Sequence, residues 1–327
     1  FYMTLENYTE RQACLDFFRG QFGYRHGLPT AWFSGKEIIT EREEKQGVYW
    51  VKDWLNKVTY FSTFHLAEHH TLAMAKYIAR EKLMFMAGFP SSIYEVAKSA
   101  RKHGVDLSFV KAVFPTSEPL VDFQKKVMAE VFQCPIPDQY ASSEGAPFIY
   151  ECREGRLHYD MYSGIFERIS EDSNEVVVTS FTTDYMPLIR YKVGDYVQFA
   201  PPEKKCSCGS AMPLIESLEG RSSNYVYSKE RGKVTVSNIS NVVKYLGEVN
   251  QFQLEQLSKE HIVVRIVYKG NNPQKIKQDI DYELRYRLGD TIQLSYEFLD
   301  IIPKEANGKY MMIKNHISKF PFYLAGK

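Results

Sequence analysis

The hydrophobic period of the chain changes twice along its length, near Tyr140 and near Gly220, which rules out a single uniform layer. Before Tyr140 apolar residues recur at helical spacing. Cys14, Phe17, Phe18 and Phe22 share one face, closed by Gly23 and Gly27. Leu66, Ala73, Met74, Tyr77 and Ile78 mark a second helix, and Ile93, Val96, Ala97 and Ala100 a third, running from Pro90 to near Gly104. A short apolar strand over 109–114 follows. Pro119 then opens a helix at its first turn, with Val127, Met128, Val131 and Phe132 facing inward. Strand–helix alternation of this kind predicts an α/β layer structure.

From Tyr140 onward short runs at hairpin spacing take over, at 148–152, 157–159, 165–169, 176–181 and 188–199, and predict a β-rich subdomain over about 141–220. After Gly220 the pattern becomes self-contained. A hairpin over 225–236, with Gly232 in its turn, precedes a helix over 238–246 and two strands. In the second strand Ile262, Val264, Ile266 and Tyr268 alternate with their neighbours. Pro273 opens a helix whose Ile276, Ile280, Leu284 and Leu288 return every fourth residue, and Ile292, Leu294, Tyr296 and Phe298 alternate after it. The fold class expected is an α/β large domain with a β-rich subdomain over 1–220, then a small α+β C-terminal lid domain over 221–327.

Composition narrows the function. In 327 residues, 44% apolar content supplies large cores, and a net charge of +1 gives no field for nucleic acid or anionic lipid. The 23 Tyr and 21 Phe are spread along the chain and not interleaved with Lys or Arg, which suits packing better than base stacking. No window approaches the roughly 18 apolar residues of a membrane span. There is no basic stretch followed by an apolar one at the start, hence no visible signal peptide. Five Cys, an odd number with only Cys206 and Cys208 close together, do not resemble a secreted disulfide framework, so a cytoplasmic setting is expected.

Four segments fall at strand ends or in loops, where ligand-binding groups concentrate. They are Ser117-Glu118-Pro119-Leu120, Asp138-Gln139-Tyr140-Ala141-Ser142-Ser143-Glu144-Gly145, Pro187-Leu188-Ile189-Arg190-Tyr191-Lys192-Val193-Gly194-Asp195, and Ile302-Pro303-Lys304-Glu305-Ala306-Asn307-Gly308-Lys309. With Gly220-Arg221 and Cys206-Ser207-Cys208-Gly209 in order between them, the set resembles the adenylate-forming superfamily. Within it the likeness is to the branch of phenylacetate–CoA ligases and CapK-type proteins, and it covers nearly the whole chain.

The resemblance implies activation of a small carboxylic acid by ATP and Mg²⁺, then transfer of the acyl group to coenzyme A, by an AMP-forming acid–thiol ligase. It implies roles residue by residue: Lys309 as the catalytic cation, Glu144 as Mg²⁺ ligand, and Tyr140 with Ser117, Glu118 and Pro119 around adenine. Ser143 would bond phosphate, Asp195 the ribose hydroxyls, and Arg221 ribose or phosphate. The chemistry asks for these types. A carboxylate attacking a phosphate must overcome anion repulsion, which calls for cations and positioning more than a protein nucleophile. Mg²⁺ prefers carboxylate oxygen, and a carboxylate has two acceptor atoms for two hydroxyls. Taken singly, each of these residues also has an ordinary role as packing, a turn contact or a solvated charge.

Cys206 and Cys208 on a tight loop, with Cys152 and His158 bracketing a turn at Glu154-Gly155, either form a closed Cys₃His zinc site of structural type or remain thiols. Cys14 and Cys134 read as core. His65, Glu68, His69 and His70 do not match the H-E-x-x-H pattern and read as histidines at a helix start.

Departures from the family pattern matter. Ala141 stands in place of Gly, Lys192 in place of Arg, and Ser222-Ser223-Asn224 in place of the acidic pair at the hinge. The Gly- and Ser/Thr-rich phosphate loop expected ahead of Phe1 is not in the chain, which predicts little adenylation by these 327 residues alone and activity in a longer parent. Two other readings compete: an acyl-adenylate-dependent transferase of capsular or surface polysaccharide assembly, and a degenerate non-catalytic nucleotide-binding relative. The sequence carries no sign of the acid's identity or of oligomeric state.

Overall fold

The computed structural model describes residues 3–34, 38–63, 65–120, 122–142, 144–221, 225–230, 232–235, 239, 242–243, 246, 248–305 and 310–317. The chain divides into two compact units. One comprises Phe1–Leu120 and Gln124–Leu218, and the other comprises Val121–Phe123, Glu219–Glu305 and Tyr310–Lys327.

The first unit opens with α1 (Leu5–Gly20), whose start is capped by Thr4 accepting from the Asn7 N–H at 3.1 Å. Four strands, β1 (Thr30–Ser34), β3 (Val58–Ser62), β4 (Phe85–Gly88) and β5 (Ala112–Pro115), run parallel, with β2 (Trp50–Asp53) antiparallel on the edge. The order is β2-β3-β1-β4-β5. Short α2 (Glu41–Lys45) carries a complete capping box between Thr40 and Glu43. Helices α3 (Glu68–Glu81), α4 (Pro90–His103) and α5 (Asp122–Phe132) supply a core in which Met74, Ile78, Ile93, Val96, Met128 and Phe132 pack with Phe33, Phe61, Met86 and Val113 of the strands. The opposite face packs Phe18 of α1 on Phe85, Ala87, Ala112 and Phe114. Both faces of the sheet are therefore buried, as a parallel sheet requires. The buried Arg19 guanidinium lies over Trp32 at 5.1 Å and over Tyr24 and Phe114 at 5.8 Å, so aromatic faces stand in for water.

The remainder of this unit is a seven-stranded antiparallel sheet, β6 (Gln139–Tyr140), β7 (Ile149–Glu151), β8 (Leu157–Tyr159), β9 (Gly164–Arg168), β10 (Glu175–Ser180), β11 (Tyr191–Phe199) and β12 (Leu214–Arg221). Its order is β6-β7-β8-β12-β11-β10-β9. In a flat sheet β6 and β11, four places apart, would be separated by about 19 Å. Yet the Tyr140 hydroxyl reaches Asp195, and its ring lies 6.4 Å from that of Phe166 on the far edge strand. The sheet is rolled over a core of Ile149, Phe166, Val176, Val178, Val197 and Ile215.

The second unit pairs β13 (Tyr225–Ser228) with β14 (Gly232–Thr235) and builds a sheet of order β17-β16-β15-β18 from β15 (Val249–Gln256), β16 (His261–Tyr268), β17 (Gln293–Phe298) and β18 (Ile313–Asn315). Helix α6 (Pro273–Leu288) connects the parallel pair β16 and β17. Its Ile276, Ile280, Leu284 and Leu288 bury against Phe252, Leu254, Ile262, Val264 and Ile266.

Several expectations need correction. Phe17 is 66% exposed, because α1 rests on the sheet through Phe18 and Leu15. The helix expected from Pro119 begins at Asp122. Gly232 starts β14 and does not occupy the turn, and β11 begins at Tyr191, not at 188. Phe298 is 42% exposed at the end of an edge strand. The helix expected over 238–246 falls mostly outside the described residues.

At Gly88, φ is +124°, and a Cβ would lie 1.9 Å from the Phe33 carbonyl oxygen. Gly27, at φ +83°, has open space around it. Gly88→Ala should therefore cost more than about 3 kcal/mol in urea unfolding and Gly27→Ala about 1 kcal/mol. Equal losses would mean that β1 and β4 are spaced differently.

Candidate functional site

Parallel strands present their C-terminal ends to ligands, and in the first unit that edge carries the first motif. Past β5, Ser117 sits at φ +70°, and the Glu118 Oε2 accepts from the Ser91 N–H at 3.1 Å, fastening the loop to the start of α4. Ser117 and Pro119 are exposed.

The second motif begins on β6. The amide of Gln139, whose side chain is buried, donates through Nε2 to the Pro115 carbonyl at 2.8 Å, joining β6 to the end of β5. Tyr140 pairs with Ile149 across the ladder and donates its hydroxyl proton to Asp195 Oδ2 at 2.5 Å. Asp195 is buried on β11. Tyr140 and Asp195, separated by 55 positions, are thus brought together.

Glu144 is half-buried in the following turn. Beside it Arg11 of α1 donates to the Thr182 hydroxyl at 3.0 Å and the Thr182 carbonyl at 3.2 Å. Burial lowers the Arg11 pKa, and the Glu144 charge opposes that shift. Ser143 and Lys309 lie outside the described residues, as does the side chain of Arg221, whose backbone ends β12.

The four expected metal ligands do converge. Cys152 follows β7, His158 lies on β8, and Cys206 and Cys208 occupy the loop before β12. Their ligand atoms all lie within 4.8 Å of one another. Cys152 Sγ and Cys206 Sγ are 3.7 Å apart, too far for a disulfide, and Cys208 Sγ is 3.4 Å from His158 Nε2. A tetrahedral zinc with bonds of about 2.3 Å to sulfur and 2.0 Å to nitrogen has edges of about 3.7 Å and 3.5 Å, so the donors fit. His158 Nδ1 lies 2.9 Å from the Met212 carbonyl, which can only accept. That nitrogen therefore carries the proton, leaving the Nε2 lone pair toward the thiols.

Among the described residues no other group of three or more ligands converges, so the histidines at the start of α3 are not part of one. His65 instead meets the Ser62 hydroxyl at 2.8 Å. Cys14 and Cys134 pack at the margins of apolar cores, and burial pushes both thiols up to about 12.

Two residues inside the second motif received no role from sequence. One is Gln139, described above. The other is Asp138, whose N–H donates to Glu151 Oε2 at 2.8 Å and whose carboxylate accepts from the Gln139 N–H at 2.8 Å. Burial, helped by the Glu151 charge, raises the Asp138 pKa to about 6. The folded state thus holds the proton more tightly than the unfolded chain. The stability this gives is complete below about pH 4 and is lost as pH rises through 6. Asp138→Asn should stabilise the protein at pH 8, relative to its effect at pH 4, by on the order of 2 kcal/mol in urea titrations. An equal effect at both pH values would contradict this.

The family model described as the CapK C-terminal domain matches residues 226–316. Protein CapK of Staphylococcus aureus is 30% identical over 322 residues, spanning 97% of this chain and 71% of that protein. The indoleacetate–lysine synthetase of Pseudomonas savastanoi is 32% identical over 117 residues, 35% of this chain and 29% of its own. Among solved structures, 2-hydroxyisobutyryl-CoA ligase in its postadenylation state, in complex with R3-HIB-AMP, superposes with a TM-score of 0.69 over 92% of this chain and 68% of its own, at 13% identity. The anthranilate CoA ligase AuaEII with anthranoyl-AMP gives 0.59 over 88% and 58%, at 14% identity. The fold is that of the adenylate-forming CoA ligases, and the chain belongs to the CapK family.

Proposed function

We infer that this chain is the part of an AMP-forming ligase that holds the nucleotide while a carboxylic acid is activated, with the acyl group passing afterwards to coenzyme A. The observation that carries the reading is the Tyr140–Asp195 hydrogen bond, which sets a flat phenol ring and a buried carboxylate side by side. A purine against the ring would bring its ribose hydroxyls toward the acid. A carboxylate offers two acceptor oxygens, which suits it to the two hydroxyls of a ribose. Ser117, Glu118 and Pro119 follow β5, whose last residue, Pro115, accepts from Gln139, and we assign them to the other face of the base.

In the first half-reaction the substrate carboxylate oxygen bonds to the α-phosphorus and pyrophosphate leaves. In the second the thiol sulfur bonds to the acyl carbon and AMP leaves. Lys309 supplies positive charge at the phosphorus, with Ser143 and Arg221 bonding phosphate and ribose. Glu144 would hold Mg²⁺, which when bound offsets charge on the phosphate oxygens. Arg11, whose charge is felt by Glu144, lies beside that carboxylate. The Cys₃His cluster would hold a structural zinc, since four protein ligands leave no open position.

The indoleacetate–lysine synthetase, whose name joins an acid to an amine, favours a second reading in which the acceptor is an amine. A third reading sends the acyl group to a sugar acceptor in surface-polysaccharide assembly.

In the full-length protein, Lys309→Ala should lower acid-dependent ATP–pyrophosphate exchange about 10²- to 10³-fold while changing acid affinity by less than about threefold. An unchanged exchange rate would remove Lys309 from the mechanism, and its absence from the wild type with every acid tried would overturn the reading. Supplying thiol, amine and sugar acceptors separately decides between the destinations. Metal analysis should return one zinc per chain, lost in Cys208→Ser. A chain purified without zinc that takes none up would leave the cluster as thiols.

A further inference from the structure

The hairpin that carries the metal ligands also holds the nucleotide motif. Cys152 closes β7 by donating its N–H to the Arg156 carbonyl at 2.9 Å and accepting from the Gly155 N–H at 2.9 Å, so the ligand's backbone is part of the β7–β8 turn. The residue before it is Glu151. Its Oε2 accepts from the Asp138 N–H at 2.8 Å and lies 3.4 Å from Lys125 Nζ, and its own N–H donates to the Asp138 carbonyl at 2.9 Å. Asp138 therefore meets Glu151 through both of its backbone polar groups. One residue on, Gln139 pairs with Tyr150 and ties to the Pro115 carbonyl. The next residue is Tyr140, bonded to Asp195.

Position by position, then, a route of direct contacts links the Cys₃His cluster to both walls assigned to the base, with Glu151 the first link and Gln139 the branch point. Gln139 has a further oddity. Its Oε1 is buried with no hydrogen-bond partner among the described residues. A buried unsatisfied carbonyl is destabilising, so an apolar residue of the same volume would serve packing as well. What glutamine alone provides here is the bond to Pro115.

We propose that the Cys₃His cluster is a positioning device for the nucleotide wall, acting through Glu151 and Gln139, so that metal occupancy and nucleotide affinity are coupled. The mechanism is mechanical. Without a metal the Cys206–Cys208 loop no longer braces the end of β7, and Glu151 no longer holds the Asp138 amide. The β6 ladder carrying Tyr140 is only two residues long, so the paired bonds between Asp138 and Glu151 at its start are a large share of what sets its register. Linkage then requires the converse, that nucleotide tightens metal binding by the same factor. The inference rests on the nucleotide-site reading above, but the brace itself does not.

Two readouts on the full-length protein separate them. Hydrogen exchange followed over 137–142, with and without zinc removal by a chelator, tests the brace. The Asp138, Gln139 and Tyr140 amides should exchange at least about tenfold faster without metal, while α3 and α4 are unchanged. Calorimetry with ATP tests the coupling. Affinity should fall on the order of tenfold on chelation. In Glu151→Ala, zinc content should remain at the wild-type value, ATP affinity should already be low, and chelation should weaken it no further. Glu151→Gln, which keeps an acceptor for the Asp138 N–H, should restore most of the affinity. Gln139→Met should melt within a few degrees of wild type yet bind ATP several-fold more weakly. Exchange over 137–142 that is indifferent to metal would overturn the proposal. Faster exchange in a metal-depleted protein whose zinc-loaded form binds no ATP would keep the brace and sink the nucleotide reading instead.

Discussion

The hydrogen bond from Tyr140 to Asp195 is the contact on which the site depends, because it can form only if the seven-stranded sheet is rolled. A short edge strand carrying a large aromatic residue would otherwise expose its ladder and its ring. Rolling the sheet sets the ring near Phe166 on the opposite edge and gives the phenol proton a carboxylate acceptor. A hydrogen bond to a charged acceptor is stronger than a neutral one, by roughly a factor of two. It also places an aromatic face and an acid beside each other, the pair proposed to receive a nucleoside.

That arrangement meets the parallel sheet where the Gln139 amide reaches Pro115 and where Phe148 and Tyr150 pack on Phe85 and Phe114. The parallel sheet is itself unyielding. Its strands are buried on both faces, and Gly88 allows β1 and β4 to approach more closely than any side chain would permit. A rigid sheet thus lends its C-terminal edge to a less regular one. The loop at Ser117 and the strand at Tyr140 come from different architectures, and the Gln139 amide reaches from one to the end of the strand that leads into the other.

How far the sequence foretold this follows from where burial is one-sided. In α6 and in β16 one face meets the core and the other meets water. The four-residue and two-residue periods were therefore plain, and Ile280, Leu284, Ile262, Val264 and Ile266 are all fully buried. Strands β1, β3 and β4 were not identified, because burial on both faces erases alternation: Phe85, Met86 and Ala87 are consecutive and all buried. Phe17 and Phe298 fit their periods but lie where neighbours cover them only in part. Among the site residues, Tyr140 and Asp195 were found through motifs, and Cys152 and His158 through a guess about a hairpin that places them beside Cys206 and Cys208. Asp138, Gln139 and Glu151 escaped notice because much of what they do passes through backbone atoms, the Asp138 N–H and the Pro115 carbonyl, which leave no mark on side-chain patterns.

The central claim is that Tyr140 and Asp195 act on a nucleotide as one unit. A double-mutant cycle in the full-length protein, with Tyr140→Phe, Asp195→Ala and the pair, read as ATP affinity by calorimetry, tests it most directly. The account predicts a coupling of about 1–2 kcal/mol, since either change alone already breaks the shared hydrogen bond. Strictly additive losses, or no loss from either single change, would contradict it.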